Sequence, residues 1–385
     1  MLSAAVPQTW FAGSLLLYRL LQFHPSDRLK AVGPAPQPQS RILGCEYVEL
    51  KPAASSRWNL TRFASLKWSL ESVSLLGRIP DAWVDTAVGP FQPDIVVTVM
   101  ERLDYVDAAH RFCVRRGIPL ALISHDEIES FERVYPIFAP AQRRRIASIY
   151  RDAAVRFCVS PEMARRFDTI YGAPGTVLYP SRSDELTGRP ASASETLAAA
   201  GRLSVGYTGA ESYGYGQAVR TLMPALADLL TLRIYSRDAW NPLPPHTTHA
   251  GAFMANHELW DRVKAECDVV WLPYSYSPEM RSLYETHFPS KLTEYVALGM
   301  PVLITGPSYA TGVKWGLRNS DAVVTVADGS VDEVRAAVQR LTADASLRAR
   351  LSQQVVAAGN RDFEPATIRK VFYDSLERAV HREIG

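Results

Sequence analysis

The sequence predicts an α/β protein built from two Rossmann-like domains, and three observations carry that prediction. At 385 residues the chain is too long for one ordinary core, so two domains are the default. Strand and helix signals alternate along it, as they do in parallel sheets. The alternation stops over residues 181–200, where Ser, Thr, Ala, Gly and Pro replace apolar periodicity, and then begins again. The expected division is a first domain over 1–180, a linker over 181–200, a second domain over 201–365 and a terminal helix over 366–385.

The elements follow in order. Only Met1 to Val6 precede Pro7, so either the first strand is very short or the true start lies upstream. Gly13-Ser14 opens an amphipathic segment from Leu15 to Phe23, and the prolines from Pro34 to Pro38 make a loop. Pro93-Asp94 leads into Ile95–Val99, an apolar run of the kind that is buried on both faces of a parallel sheet. A helical pattern from Tyr105 to Arg116 ends at Gly117, and Ile118 to Ser124 makes the next strand. After a helix over Gln142–Ala154 and a strand over Val155–Val159, Ser160-Pro161-Glu162 reads as an N-cap with proline at the first helical position. Thr176–Tyr179 is the last strand of this half. In the second half, strands are expected at Leu203–Tyr207, Leu232–Tyr235, Val269–Leu272, Val302–Ile304 and Ala322–Val326. Helices are expected near 331–342 and 346–358, with a final one over Ala366–Arg382.

Composition removes several classes of function. Hydrophobic content of 47% and charged content of 21% describe a globular chain rather than a disordered one. A formal net charge of +2 gives no reason to expect nucleic acid as a partner. Cys45, Cys113, Cys158 and Cys267 are scattered, which suits a reducing cytoplasm and neither a disulfide framework nor a metal site. No apolar run approaches the roughly 20 residues that span a bilayer, and the start lacks the basic-then-apolar order of a secretory signal. The chain is therefore expected in the cytoplasm, with the inner face of the cell membrane as a possible place of work. Among catalytic signatures there is no G-x-S-x-G, no P-loop and no His-rich metal spacing. His246 and His249 sit in a Pro/Thr loop without further ligands in view.

The most informative stretch runs from Phe288 to Leu303, Phe-Pro-Ser-Lys-Leu-Thr-Glu-Tyr-Val-Ala-Leu-Gly-Met-Pro-Val-Leu. It reads as loop, helix, tight turn and apolar strand. Ser290 is expected as the N-cap, Leu292, Tyr295, Val296 and Leu298 as the apolar stripe, and Gly299 as the left-handed residue that ends the helix. Pro301 blocks continuation. Free N–H groups, the positive end of the dipole and the Lys291 amine would converge on one point, which is a site for a phosphate. Glu294, one turn further in, faces the same side and is suited to sugar or ribose hydroxyls. The plain alternative is an ordinary helix–Gly–x–Pro–strand connection.

Ser290-Lys291, Glu294-Tyr295, Ala297, Gly299 and Pro301-Val302 resemble the nucleotide-sugar-binding segment of GT-B glycosyltransferases, especially the retaining group called family four. The likeness extends from about Pro93 onward. It implies two Rossmann-like domains facing a central cleft, with the last helix crossing back to the first domain. It implies transfer of a sugar from a nucleotide diphosphate sugar to an acceptor hydroxyl, with retention and without a metal or other cofactor. The helix start with Ser290, Lys291 and Leu292 would hold the donor diphosphate, and Glu294 the ribose. The acceptor would be a glycan, a lipid-linked sugar or a small molecule, as in surface-polysaccharide or glycolipid assembly.

Other residues are placed by the same resemblance. His125, at the end of the strand Leu120–Ser124, matches a histidine near donor sugar and acceptor, while a plain loop histidine is the alternative. Asp126 and Glu127 follow it and would orient it or touch the acceptor, with a solvated loop as the alternative. The family carries two glutamates separated by seven residues, whereas Glu285 and Glu294 are separated by eight and Thr286 holds the matching place. Either the loop absorbs one extra residue and Glu285 is the first glutamate, contacting the donor sugar, or backbone groups do its work; Arg281 and His287 flank the same loop. Gly206-Tyr207-Thr208-Gly209 ends the first strand of the second domain, where a glycine loop lets backbone approach a diphosphate. Family members place an Arg and a Lys just beyond that strand. This chain has Glu211, Tyr213, Tyr215 and Gln217 there, and Arg220 is the first cation, so either Lys291 and Arg220 carry the charge of the donor diphosphate or a cation from elsewhere does. Gly13, after Trp10 and Phe11, matches a glycine loop that reaches the donor phosphate. Arg143-Arg144-Arg145 reads either as a solvated helix face or as a contact for anionic lipid headgroups. Two rival readings remain: a sugar-nucleotide 2-epimerase of the same fold, and a nucleotide-sugar-binding partner without activity.

Overall fold

The structure, a computed structural model, describes residues 1–9, 12–50, 64–72, 78–128, 134–186, 201–237, 239–251 and 256–382. It divides into two compact units, Met1–Pro180 with Pro365–Gly385, and Ser181–Glu364. Trp10, Phe11 and most of the expected linker, 187–200, lie outside the described residues.

The first unit contains β1 (Lys30–Gly33), β2 (Glu46–Glu49), β3 (Val96–Val99), β4 (Leu120–Ser124), β5 (Val155–Cys158) and β6 (Thr176–Val177). Its helices before the boundary are α1 (Ala12–Leu21), α2 (Ala64–Ser72), α3 (Asp81–Val88), α4 (Leu103–Arg116), α5 (Ala139–Asp152) and α6 (Pro161–Tyr171). Strands β3-β4-β5-β6 form a parallel sheet, and β1 pairs in parallel with β2. The start of the chain bridges these groups, since Leu2 N donates to Val97 O at 3.1 Å and Ser3 N to Val32 O at 3.0 Å. Every residue of β3 and β4 is buried, which is why both are mainly apolar, with Thr98 and Ser124 the exceptions. Helix α4 ends at Gly117, in the left-handed conformation, and Ser160 caps α6 by accepting from Met163 N at 2.9 Å.

The second unit contains β7 (Leu203–Thr208), α7 (Tyr215–Leu226), β8 (Leu230–Tyr235), β9 (Thr247–Gly251), α8 (Asn256–Glu266) and β10 (Val269–Pro273). It continues with α9 (Arg281–Thr286), α10 (Ser290–Ala297), β11 (Val302–Gly306), α11 (Thr311–Arg318), β12 (Val324–Ala327), α12 (Val331–Ala343) and α13 (Ala345–Phe363). All six strands are parallel in the order β12-β11-β10-β7-β8-β9. Counted within the unit this is 6-5-4-1-2-3, the doubly wound order of a Rossmann sheet. The order reverses between β7 and β10, so the carboxyl ends of those two strands frame the crevice in which such sheets bind ligands.

The last helix, α14 (Pro365–Arg382), belongs to the first unit. Phe372 is fully buried and packs on Phe157 of β5 with ring centroids 5.4 Å apart. It shares one core with Leu17, Leu20 and Leu21 of α1, and Tyr373 donates its hydroxyl to Leu20 O at 3.2 Å. Among the described residues no helix is long and apolar enough to cross a membrane.

Candidate functional site

In the second unit the site is built at the switch point. Strand β7 ends at Thr208, and Gly209 turns the chain away with φ +108°. A Cβ at Gly209 would lie 2.6 Å from Lys291 Cε and 3.0 Å from its Nζ, so a larger residue would displace the end of that side chain. Lys291 is the second residue of α10, and this contact places the start of α10 at the carboxyl edge of the sheet. Its amine donates to Tyr207 Oη at 2.6 Å and lies over the rings of Tyr207 and Tyr215, at 4.4 and 4.1 Å from their centroids. Burial pushes the Lys291 amine down to about 7.

Helix α10 departs from expectation at its first residue. Ser290 is the first helical position, Pro289 occupies the N-cap with φ −72° and ψ 111°, and no side chain caps the helix. Proline's fixed φ suits the last extended residue before a helix, so the serine is carried one place inward. Leu292 N turns back to Pro289 O at 3.0 Å. The N–H groups of Ser290 and Lys291 have no intrahelical acceptor, and among the described residues they are the open donors of this end. Leu292 is fully buried and holds the helix to the core. Glu294 is 8% exposed, and its Oε2 accepts from Ser183 N at 3.3 Å. Gly299 has φ +67°, the left-handed turn expected before β11.

The other expected members of this site are held by neighbours. Glu285 sits on α9 and accepts from Arg281 Nε at 2.8 Å, one turn back on the same helix. The Arg281 guanidinium in turn lies 4.8 Å from the Tyr309 ring centroid. Arg220 gives two hydrogen bonds to Glu211 Oε1, from Nε at 2.8 Å and Nη2 at 2.5 Å, and a third to Pro242 O. Its charge is thus matched by Glu211 of the loop that follows β7, while Lys291 makes no ion pair among the described residues.

In the first unit, His125 follows β4 and is half-buried. Gly13 of α1 lies against it, with an ideal Cβ position 3.4 Å from His125 Cδ2 and 3.5 Å from Nε2. The structure therefore brings His125 and Gly13 together. Asp126 is half-buried beside them. Glu127 is buried and paired with Arg166 of α6, Oε1 to Nε at 2.5 Å and Oε2 to Nη2 at 3.3 Å. Of the basic run, Arg143 and Arg144 are exposed, and Arg145 donates to Asp107 Oδ1 of α4 from Nε at 2.7 Å.

Sequence reasoning missed the tyrosine rings of Tyr207 and Tyr215 that face Lys291, and those packed with them. Tyr207, Tyr215, Tyr274, Tyr284 and Tyr295 are all buried. Tyr274 and Tyr284 meet edge to face at 4.7 Å, and Tyr215 packs on both. The hydroxyl of Tyr295 accepts from Thr208 N at 2.8 Å, tying α10 to the end of β7. Burial pushes the phenols of Tyr207 and Tyr215 far above their ordinary range, so both are neutral. The density of Tyr in 207–215 was the available signal. Among the described residues no group of three His, Cys, Asp or Glu side chains is placed to hold a metal.

The chain matches no protein-family model and no curated protein. It does match solved structures over nearly its whole length. HepE of Anabaena, solved in complex with UDP and glucose, is similar with a TM-score of 0.64 and 16% identity, over 97% of this chain and 98% of that one. Sucrose-phosphate synthase of Thermosynechococcus elongatus is similar with a TM-score of 0.65 and 12% identity, over 96% and 92% of the two chains. The lipopolysaccharide outer core galactosyltransferase WaaB, in its apo form, gives 0.60 and 12% over 98% of each. Two α/β units with parallel sheets, a terminal helix returned to the first, and these likenesses agree: the chain has the GT-B fold.

Proposed function

We propose that the protein is a glycosyltransferase that moves a sugar from a nucleotide diphosphate sugar to an acceptor hydroxyl. The observation that carries this reading is the Lys291 amine, set against Gly209 at the carboxyl ends of β7 and β10, beside an uncapped helix start. A cation and two open N–H groups at one point are what a diphosphate needs. The solved complexes of HepE with UDP and with UDP-glucose support assigning a nucleotide sugar to this chain as well.

In the proposed reaction the sugar–phosphate bond breaks and negative charge collects on the β-phosphate. The N–H groups of Ser290 and Lys291 and the Lys291 ammonium stabilise that charge as it develops, so they lower the barrier rather than only binding the donor. Leu292 fixes the helix, Glu294 takes the ribose hydroxyls and Glu285 the donor sugar. Retention follows from attack on the same face, with the departing phosphate assisting removal of the acceptor's proton. His125, backed by Gly13 and flanked by Asp126 and Glu127, positions sugar and acceptor. No metal is called on. The acceptor is a glycan or lipid-linked sugar, and Arg143 and Arg144 provide a surface for anionic headgroups at the cytoplasmic face of a membrane.

The test is release of nucleoside diphosphate from a panel of nucleotide sugars, with and without monosaccharide and lipid-linked acceptors. The proposal expects release that requires an acceptor, falls at least tenfold in Lys291→Ala, and yields a product with the donor's anomeric configuration by NMR. Turnover of donor without any acceptor would favour the epimerase. Binding without turnover under every acceptor would favour an inactive partner.

A further inference from the structure

The chain enters the second unit at Ser181 and leaves it at Glu364, and one side chain ties entry to exit. Arg182 is buried, and its Nη2 donates to Glu364 Oε2 and, at 3.2 Å, to Asn360 Oδ1 near the end of α13. Its Nη1 donates to Leu186 O, across a tight turn that Leu186 N closes on Ser183 O at 3.2 Å. The Arg182 backbone N–H donates to Phe363 O at 3.3 Å. The planar guanidinium thus clasps residues 182–186 to the last turn of α13.

The next residue carries the consequence. Ser183 is buried, and its N–H donates to Glu294 Oε2 at 3.3 Å. A carboxylate offers lone pairs to about four donors, and its terminal torsion ranges broadly unless a partner holds it. Here the clasped N–H is such a partner. Phe363 also supports the phosphate half of the site. Its ring packs on Phe288 at 5.4 Å and on Trp315 at 5.5 Å, and Trp315 Nε1 donates to Asp362 Oδ2 at 2.8 Å. Phe288 lies just before Pro289, the N-cap of α10. The end of α13 therefore sets both the turn that meets Glu294 and the chain that leads into Ser290 and Lys291.

From this geometry, and resting on the donor site proposed above, we infer that Arg182 is a positioning residue for ribose recognition. Clasped to Leu186, Asn360 and Glu364, it holds the Ser183 N–H that orients the Glu294 carboxylate for the ribose hydroxyls of a nucleoside diphosphate. It acts through Ser183 and Glu294, not by touching the ligand. Loss of the clasp frees the carboxylate to turn, so hydrogen bonds to ribose weaken. The packing of Phe288 on Phe363 and the contact of Lys291 with Gly209 do not depend on the guanidinium, so diphosphate binding persists. A lysine at this position keeps the charge but cannot fork to three acceptors on two elements.

The experiment is calorimetric titration of the full chain with UDP, GDP and ADP, and then with the 2′-deoxy and 3′-deoxy forms of the tightest binder. The readout is the ratio of Kd between deoxy and parent nucleotide. Hydrogen bonds to a carboxylate are charge-assisted, so removing a ribose hydroxyl should cost wild type about ten- to a hundredfold. In Arg182→Met that ratio should shrink to about threefold or less, while the parent nucleotide still binds in a Lys291-dependent way. Arg182→Lys and Glu364→Gln should fall between these limits, and they decide the matter if Arg182→Met does not fold. A purely structural clasp would lower the melting temperature and leave the ratio alone. An unchanged ratio in every folded variant therefore overturns the inference while leaving the donor site standing. Equal binding of parent and deoxy forms by wild type, or a wild-type ratio in Glu294→Ala, removes the ribose role of Glu294 and the inference with it. Absence of binding by all three nucleotides, or wild-type affinity in Lys291→Ala, overturns the donor site itself.

Discussion

Gly209 and Lys291 constrain one another, and each explains a residue that spacing alone left open. A methyl group at Gly209 would press on Lys291 Cε at 2.6 Å, and φ +108° is a conformation that other residues reach only under strain. Gly209→Ala should therefore destabilise the second unit by about 1–3 kcal/mol in chemical denaturation. It should also weaken nucleotide binding, because the lysine is displaced. Lys291→Ala removes charged hydrogen bonds to the ligand, on the order of 1.5–3 kcal/mol, and should raise the nucleotide Kd by about ten- to a hundred-fold in a direct titration. Both residues were legible from their positions beside a strand end and a helix start. The two ring contacts of Lys291 were not, because Tyr207, Tyr215 and Lys291 meet only after β7, α7 and α10 converge. Serine is the better capping side chain, so the sequence favours Ser290 as the cap. Proline's backbone geometry decided the matter instead.

At the scale of elements, α10 is held between the sheet and α13. Tyr295 fixes its inner face through Thr208 N, and Gly359 of α13 lets Val296 approach so closely that an added Cβ would lie 2.7 Å from Val296 Cγ2. Tyr295→Phe leaves a buried N–H without its acceptor and should cost about 1–3 kcal/mol. Gly359→Leu should push α13 away, lowering both the melting temperature and nucleotide affinity although the residue touches no ligand. Strands buried on both faces, such as β4 and β11, announced themselves as apolar runs. Those without that signature did not. β9 is a half-buried strand at the end of the sheet, written Thr-Thr-His-Ala-Gly, and its polar residues read as loop. β1 is Lys-Ala-Val-Gly, whose buried lysine is matched by Val88 O at 2.9 Å and by Glu46.

Across the whole molecule, alternating strands and helices revealed the fold class, and the order 6-5-4-1-2-3 then located the switch point that sequence periodicity does not encode. The return of α14 to the first unit depends on apolar residues far from their partners in the chain, Phe372 on Phe157 above all. Phe372→Ala should cost the first unit about 3–5 kcal/mol, seen as a lowered denaturation midpoint, with nucleotide binding by the second unit spared. The carboxyl ends of β7 and β10, with the start of α10, are proposed to bind a nucleoside diphosphate. Thermal denaturation with nucleoside diphosphates and their sugars tests it most directly, on wild type, Lys291→Ala and Glu294→Ala. A ligand at a hundred times its Kd adds about 2.7 kcal/mol to the folded state, and for a unit of this size each kcal/mol raises the midpoint by about 2–4 °C. Wild type should show a rise of about 5–10 °C with at least one nucleotide, and both variants a markedly smaller one. No rise with any nucleotide, or variants that respond as wild type does, would contradict the proposed binding.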